Sequence, residues 1–211
     1  KRKGTLKEMK SPHKISSFHI LLISIMVKHM FRDLCKSENV ENLKLFLEKN
    51  TPKPYELNDA FGNAVRDSKF DICDLLVDLP NFDINTKNET LGSALHFCCM
   101  WGDVEGARYI LSQPGVDINQ IARCCAHVGS PFHMICIGGS VEIAKLLLAN
   151  PNLDVNAVHY GMFGTGLHLA CANGFTELIK EILKRKDLQV NLRPRYNCRF
   201  LGFLQCDPPI E

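Results

Sequence analysis

The residues of this chain best suited to chemistry are three histidines at nearly constant intervals. His96, His133 and His168 lie 37 and then 35 residues apart. A hydroxyl residue stands three positions before each of them: Ser93, Ser130 and Thr165. A hydroxyl beside an imidazole could serve nucleophilic catalysis, and several imidazoles together could bind a metal ion. Because the set recurs at a fixed period, a structural role in a repeated unit explains it better than one active centre.

Ten cysteines are the second group that could do chemistry. The same position after each histidine is occupied by a cysteine: Cys99, Cys136 and Cys171. A buried cysteine behaves as a small hydrophobic residue, so repeated use of one packing position explains these three without disulfide bonds. We therefore expect them to be buried and reduced.

A zinc site is the alternative use of the cysteines. Cys124, Cys125 and His127 lie together, with His159 in the next corresponding segment. Structural zinc sites usually contain C-x2–4-C pairs, whereas adjacent cysteines rarely bind one tetrahedral ion together. The chain has no C-x-x-C pair. We expect no metal ion and no cofactor.

Catalytic motifs and a strong charge are both missing from the sequence. We find no Ser/His/Asp arrangement, glycine-rich phosphate loop or paired-carboxylate motif. The formal net charge is only +2, and no basic stripe alternates with aromatic residues. The sequence therefore predicts a chain that is not an enzyme, acts on no small-molecule substrate and binds no nucleic acid.

The histidines belong to a phrase of six residues that occurs three times, at 91–96, 128–133 and 163–168. About twenty residues after each comes a second phrase, of which Asp117-Ile118-Asn119 is one copy. Self-similarity at a period of 33 to 37 residues is typical of a repeat array, in which each unit buries its apolar face against its neighbours.

One period predicts two helices and an extended segment, here called a finger. Ser130 is a good N-cap and Pro131 suits the first helical position, so a short helix should run to about Gly139. Residues 141–148 then show the spacing of a second amphipathic helix. The next turn and the Asp-Val-Asn phrase at 154–156 lead into the finger.

These features resemble the ankyrin repeat family: the T-P-L-H-like phrase, the Gly-x-x-Glu turn, the Leu-Leu pairs and the D-V-N ending. The resemblance implies an all-α ankyrin-repeat solenoid of about five helix-turn-helix units with extended fingers. We expect units near 28–56, 57–86, 91–120, 128–157 and 163–192, with a C-terminal cap or a further unit at 193–211. The second unit is degenerate, because Asp59 replaces the capping residue and Gly62 stands where the histidine should be.

Residues 1–27 form a basic tail and a short apolar segment. The apolar run at 20–27 is too short for a membrane span. A basic stretch before an apolar run also resembles a signal peptide, but no small-residue cleavage site follows. The alternative is a disordered tail followed by an apolar helix that caps the stack, and the family resemblance implies an intracellular location, cytoplasmic or nuclear.

The resemblance also implies roles for particular residues. His96, His133 and His168 are expected to be structural, with each imidazole bonded to backbone between neighbouring fingers. Groove positions carried over from the family give an apolar strip of Met100, Trp101 and Ile137, although Trp101 could instead fill a gap in the packing. The fingers contribute Arg123, His127, His159 and Tyr160 as candidate partner contacts. Asn119 and Asn156 match the pattern at which ankyrin-repeat asparagines are hydroxylated in animal cells.

Two functions follow from this reading. The first is a non-enzymatic module that binds a protein partner through its concave groove and finger loops, as a scaffold or adaptor. The second is a regulatory ankyrin segment of a larger enzyme, ubiquitin-ligase adaptor or channel. In both cases the partner is a protein whose identity the sequence does not reveal.

Overall fold

The computed structural model describes residues 17–37, 39–88, 92–124, 127–159 and 164–192. Within these ranges the chain forms ten helices and four short strands. Contacts divide it into two compact units, Lys1–Pro52 and Lys53–Glu211. The described part is thus mostly helical, as predicted.

The first unit contains helices α1 (Ser17–Lys36) and α2 (Val40–Lys49). Asn39 caps α2, since its side-chain oxygen accepts a hydrogen bond from the Asn42 N–H at 3.0 Å. The rings of Phe31 and Phe46 stack between the two helices with centroids 5.8 Å apart. Helix α1 runs continuously across residues 27 and 28, where the sequence predicted a boundary. None of the helices in the described ranges is long and apolar enough to cross a membrane.

Within the described residues, the second compact unit contains four pairs of helices. They are α3 (Pro54–Arg66) and α4 (Phe70–Val77), α5 (Ala94–Trp101) and α6 (Val104–Ser112), α7 (Pro131–Gly138) and α8 (Val141–Leu148), and α9 (Gly166–Ala172) and α10 (Thr176–Ile182). The first helices contact one another in the order α3, α5, α7, α9, and among the second helices α6 contacts α8 and α8 contacts α10. Each pair therefore packs against the next along the chain.

The turn inside a pair is made by a glycine and a capping residue. Gly102 and Gly139 end α5 and α7 in the left-handed conformation, with φ of 74° and 82°, which glycine adopts without steric cost. Asp103 and Ser140 then cap α6 and α8 through side-chain oxygens that accept backbone N–H groups. This chemistry explains the Gly-x-x-Glu turn seen in the sequence.

Two of the fingers contain short antiparallel hairpins, which the all-α prediction omits. Strand β1 (Ala122–Cys124) pairs with β2 (His127–Gly129), and β3 (Val158–His159) pairs with β4 (Gly164–Thr165). A further bridge joins Asn88 to Gly92 in the preceding finger. The hairpins place the finger residues at the same edge of the array as the N-termini of α7 and α9.

Helix α3 begins earlier than the sequence predicted. Asp59 was expected to cap it, but the helix starts at Pro54, five residues before. The reason is local: Pro54 suits the first helical position, and the Glu56 carboxylate accepts the Lys53 N–H at 3.0 Å. Asp59 therefore lies inside the helix, where its carboxylate accepts a hydrogen bond from the Asn88 side chain at 3.0 Å.

Candidate functional site

The three recurrent histidines all lie at helix N-termini, beside the hydroxyl residues that cap those helices. In each case the imidazole Nδ1 accepts the backbone N–H of the capping residue, at 3.2 to 3.3 Å, and lies 2.8 to 2.9 Å from its hydroxyl oxygen. Because Nδ1 accepts a hydrogen bond in every copy, the ring hydrogen is on Nε2. The residues form the same capping box three times: Ser93 with His96, Ser130 with His133, and Thr165 with His168.

His96 shows where the other nitrogen points. Its Nε2 lies 3.0 Å from the Gln120 carbonyl oxygen and 3.2 Å from the Gly129 carbonyl oxygen. The residue is fully buried, and burial lowers the pKa of its imidazole to about 4. A neutral imidazole with both nitrogens engaged has no lone pair for a metal ion or a substrate proton.

A second recurrent feature joins the turns that precede the fingers. Asn85, Asn119 and Asn156 each donate a side-chain N–H to a carbonyl in the following unit and accept a backbone N–H from that unit in return. The acceptors are the carbonyl oxygens of Gly115, Asn152 and Asp187 at 2.7 to 2.8 Å, and the donors are the N–H groups of Asp117, Asp154 and Gln189 at 2.7 to 2.8 Å. We call these three residues the asparagine ladder; sequence reasoning noticed the repeated asparagine but not this bonding.

The apolar strip predicted in the groove is at least partly accessible to solvent. Trp101, at the end of α5, is 65% exposed, and its ring lies 6.3 Å from that of Phe97. Met100 and Ile137 are intermediate in exposure. The helices that carry them approach closely because Gly138 has no side chain: a Cβ there would collide with the Met100 carbonyl oxygen.

The finger residues predicted to contact a partner are described only in part. Arg123 lies in β1 with an exposed side chain. The backbones of His127 and His159 lie in β2 and β3, but their side chains are outside what the structure describes, as is the whole of Tyr160. Within the described residues, no group of three or more His, Cys, Asp or Glu side chains could hold a metal ion.

Among the cysteines that the structure describes, all but one behave as packing residues. Cys98, Cys99 and Cys136 are buried, and burial raises the pKa of the Cys98 and Cys136 thiols. Cys171 was expected to be buried in the same way, but it is exposed. It belongs to α9, and the described residues contain no later first helix that would cover it.

A cavity of about 580 Å³, lined by both polar and apolar atoms, lies between α3, α5 and the finger that joins their units. Sequence reasoning did not predict it. Its walls combine side chains of α3, the residues 86–88 and the start of α5: Tyr55, Asn58, Asp59, Gly62, Asn63, Arg66, Thr86, Lys87, Asn88, Gly92, Ser93, Ala94 and Phe97. Phe97 connects this cavity to the exposed ring of Trp101.

Comparison with protein families gives a match over part of the chain. Residues 63–111 match the family model described as ankyrin repeats (many copies). This span runs from the end of α3 to the end of α6, so the predicted resemblance is confirmed there. Ankyrin repeats are generally non-enzymatic modules for protein–protein interaction. A search of the curated proteins found no match.

Proposed function

We propose that this chain is a protein-binding module of scaffold or adaptor type, built as a solenoid of about five ankyrin units. The partner binds across the concave groove formed by the first helices and against the fingers. The observation that carries the proposal is the exposure of Trp101, a residue that is 65% exposed at the end of α5, beside Phe97 of the cavity wall.

An exposed indole beside other apolar side chains is costly to leave in water. Tryptophan is over-represented among the residues that dominate binding energy, because one ring buries a large area with little loss of conformational freedom. The Phe97 ring lies beside that of Trp101, and the half-buried Met100 and Ile137 are the other apolar residues that we assign to this strip. This strip would form the centre of the interface.

The fingers would supply the rim and the specificity. Arg123 is exposed on β1, and His127, His159 and Tyr160 follow in the two hairpin-bearing fingers. Connecting segments held by a rigid scaffold tolerate sequence change and commonly carry recognition. Buried cysteines used as packing residues fit a reducing compartment, and we propose that the module acts inside the cell, in the cytoplasm or nucleus.

Quantitative affinity capture from a native lysate tests this proposal with two matched variants. Trp101→Ala removes the exposed ring from the groove, whereas Leu183→Ala removes an exposed apolar side chain (54% exposed) just after α10. We expect proteins retained by the wild type and Leu183→Ala to be lost with Trp101→Ala, with affinity reduced by about 2 kcal/mol or more. Equal capture by all three proteins would contradict the proposal.

The intrinsic fluorescence of the chain gives an independent check, because Trp101 is its only tryptophan. Before a partner is added, we expect red-shifted emission that a soluble quencher reduces readily. Partner binding should shift the emission to shorter wavelength and protect it. The thermal stability of Trp101→Ala should equal that of the wild type, since little buried area is lost.

A further inference from the structure

Exposed apolar side chains are concentrated on one helix of the first compact unit, α1. Eleven large apolar side chains are exposed in the described residues, and five of them lie within nine positions of α1, with exposures between 41% and 69%. These five are Leu22, Ile23, Ile25, Met26 and Met30, here called the apolar stripe. Single exposed apolar residues are normal on a protein surface, whereas a contiguous group of them marks an interaction site.

The apolar stripe lies on a different side of α1 from the residues that pack inside the unit. Phe31 and Cys35 are buried, and the Phe31 ring stacks on an aromatic ring of α2. Leu22, Met26 and Met30 follow one another at intervals of four residues, which places them together along the helix. Helix α1 therefore has two apolar sides, one packed against α2 and one exposed.

Cationic side chains follow the helix beside the apolar stripe. Lys28, Arg32 and Lys36 come after Ile25 at intervals of three or four residues, and all three are exposed. Asp33 is the single acidic residue in the sequence of α1. An apolar side flanked by lysine and arginine is typical of a helix that lies in the plane of a membrane surface.

The net charge of +2 conceals an uneven distribution of charge along the chain. Residues 1–36 contain nine lysines and arginines but two acidic residues, whereas residues 37–211 contain 16 basic and 21 acidic residues. Six of the nine basic residues precede α1, within residues 1–16. The covalent connection brings their charge to whatever surface α1 contacts, so the complementary surface is a negatively charged one.

We propose that α1 binds an anionic lipid surface and lies in its plane, with the apolar stripe against the acyl chains and the cations at the headgroups. This activity goes beyond the proposed function, because α1 and Trp101 belong to different compact units. A second copy of the chain is a poorer occupant, since it would bring two segments with the same excess of positive charge together. Nucleic acid is poorer too, because the apolar stripe contains no aromatic ring on which a base could stack.

Vesicle sedimentation tests the proposal with the full chain. Vesicles of phosphatidylcholine with about one quarter phosphatidylserine supply the anionic surface, and vesicles of phosphatidylcholine alone are the control. At physiological salt we expect the chain to sediment with the anionic vesicles. Binding to the neutral vesicles should be about tenfold weaker or more, because each lysine or arginine near an anionic surface adds attraction.

Two matched variants separate the apolar stripe from other exposed apolar residues. Met26→Ser removes a side chain of the stripe, whereas Leu45→Ser removes an exposed side chain of α2 in the same compact unit. We expect Met26→Ser to bind the anionic vesicles about tenfold more weakly or worse, because burial of that side chain is lost. Leu45→Ser and Trp101→Ala should bind them like the wild type. Both serine variants should keep the wild-type melting temperature, since both side chains are exposed.

Four results would each overturn the proposal. The first two are absence of sedimentation with anionic vesicles and equal binding to neutral ones. The third is equal binding by Met26→Ser and Leu45→Ser. The fourth is a dimer, seen by analytical ultracentrifugation without lipid, that Met26→Ser dissociates, because a second copy would then cover the stripe. A gel shift of an oligouridine RNA without vesicle binding would also overturn it and assign the basic segment to nucleic acid.

Discussion

Phe132 of α7 packs against the part of α9 that Gly166 leaves without a side chain. A Cβ at residue 166 would lie 2.6 Å from Cε1 of the Phe132 ring and 3.0 Å from the Cys136 sulfur. The other copies of the phrase have alanine or proline at this position, in Ser93-Ala94-Leu95 and Ser130-Pro131-Phe132. The Phe132 ring in one unit therefore occupies the space that a side chain at residue 166 in the next unit would need.

This pairing predicts the effect of Gly166→Ala. The added methyl group should force the ring or the helix to shift and lower the free energy of unfolding by about 1–3 kcal/mol, as overpacking does. Urea denaturation measures the change. Phe132→Leu in the same chain should restore part of the loss, since it removes Cε1, the atom that the methyl group would approach most closely.

Gly62→Ala is the matched control for this experiment, because its Cβ would meet nothing within 4 Å. We expect that substitution to stabilise the protein slightly through helix propensity. Gly62→Ala and Gly166→Ala should thus change the free energy of unfolding in opposite directions. A stabilising Gly166→Ala, or a double variant no more stable than Gly166→Ala alone, would contradict the packing described for Phe132.

Acid should destabilise the fold through His96. Burial lowers the pKa of this residue to about 4 from an ordinary 6.5. Between these values the unfolded chain binds a proton that the folded chain does not, so stability is complete above pH 6.5 and falls as the pH decreases toward 4. We expect His96 to account for a loss of about 3 kcal/mol in the free energy of unfolding. Urea denaturation across that pH range measures this change.

His96→Gln provides the comparison. Glutamine does not titrate, so the variant should have lower stability at pH 7 but a shallower decline between pH 6.5 and 4. The slope of the unfolding free energy against pH gives the number of protons taken up on unfolding. This number should be larger for the wild type than for His96→Gln by nearly one proton. His168, whose pKa burial also lowers, contributes to both proteins in the same direction. Identical slopes would mean that His96 does not remain neutral in the folded state.

Asn119→Ala should cost about 1–3 kcal/mol of folding stability, because it leaves the Asn152 carbonyl and the Asp154 N–H without their partner. Asn152→Ala is the control: that residue is exposed, and it takes part in the ladder through its backbone oxygen. We expect the control to unfold at nearly the wild-type denaturant concentration. Equal losses in both variants would contradict the ladder.

Hydroxylation of Asn119 and Asn156 remains a prediction from the family resemblance. Both side chains are held at the amide nitrogen and oxygen by the following unit, so we expect an enzyme to need local opening of the turn. Mass spectrometry of protein from animal cells that contain the hydroxylase should show one added oxygen on each asparagine. Destabilised variants such as Gly166→Ala should be modified more completely, and unmodified peptides from those variants would count against the prediction.

The motifs that recur in the sequence predicted the local structure most reliably. Ser130 and Pro131 predicted the start of α7 because capping chemistry is local. The family resemblance implied that His96 bonds backbone beside a finger, and its Nε2 lies within hydrogen-bond distance of the Gln120 and Gly129 carbonyl oxygens. The start of α3 was missed because the expected cap, Asp59, came from repeat register, while Pro54 and Glu56 determined the helix locally. The cavity was missed because it depends on how α3, α5 and residues 86–88 pack in three dimensions, which no local sequence pattern reports.

The ladder also bears on how the array assembles. Its bonds join residues 30 to 35 positions apart. Each therefore closes a chain loop of nearly the same length, and the entropy lost on closure is nearly the same at every step. Formation of one pair of units does not require distant parts of the chain to meet, which favours rapid growth of structure from a local nucleus. Substitution of one asparagine of the ladder should therefore speed hydrogen exchange in the two units that it joins, while the remaining units stay protected.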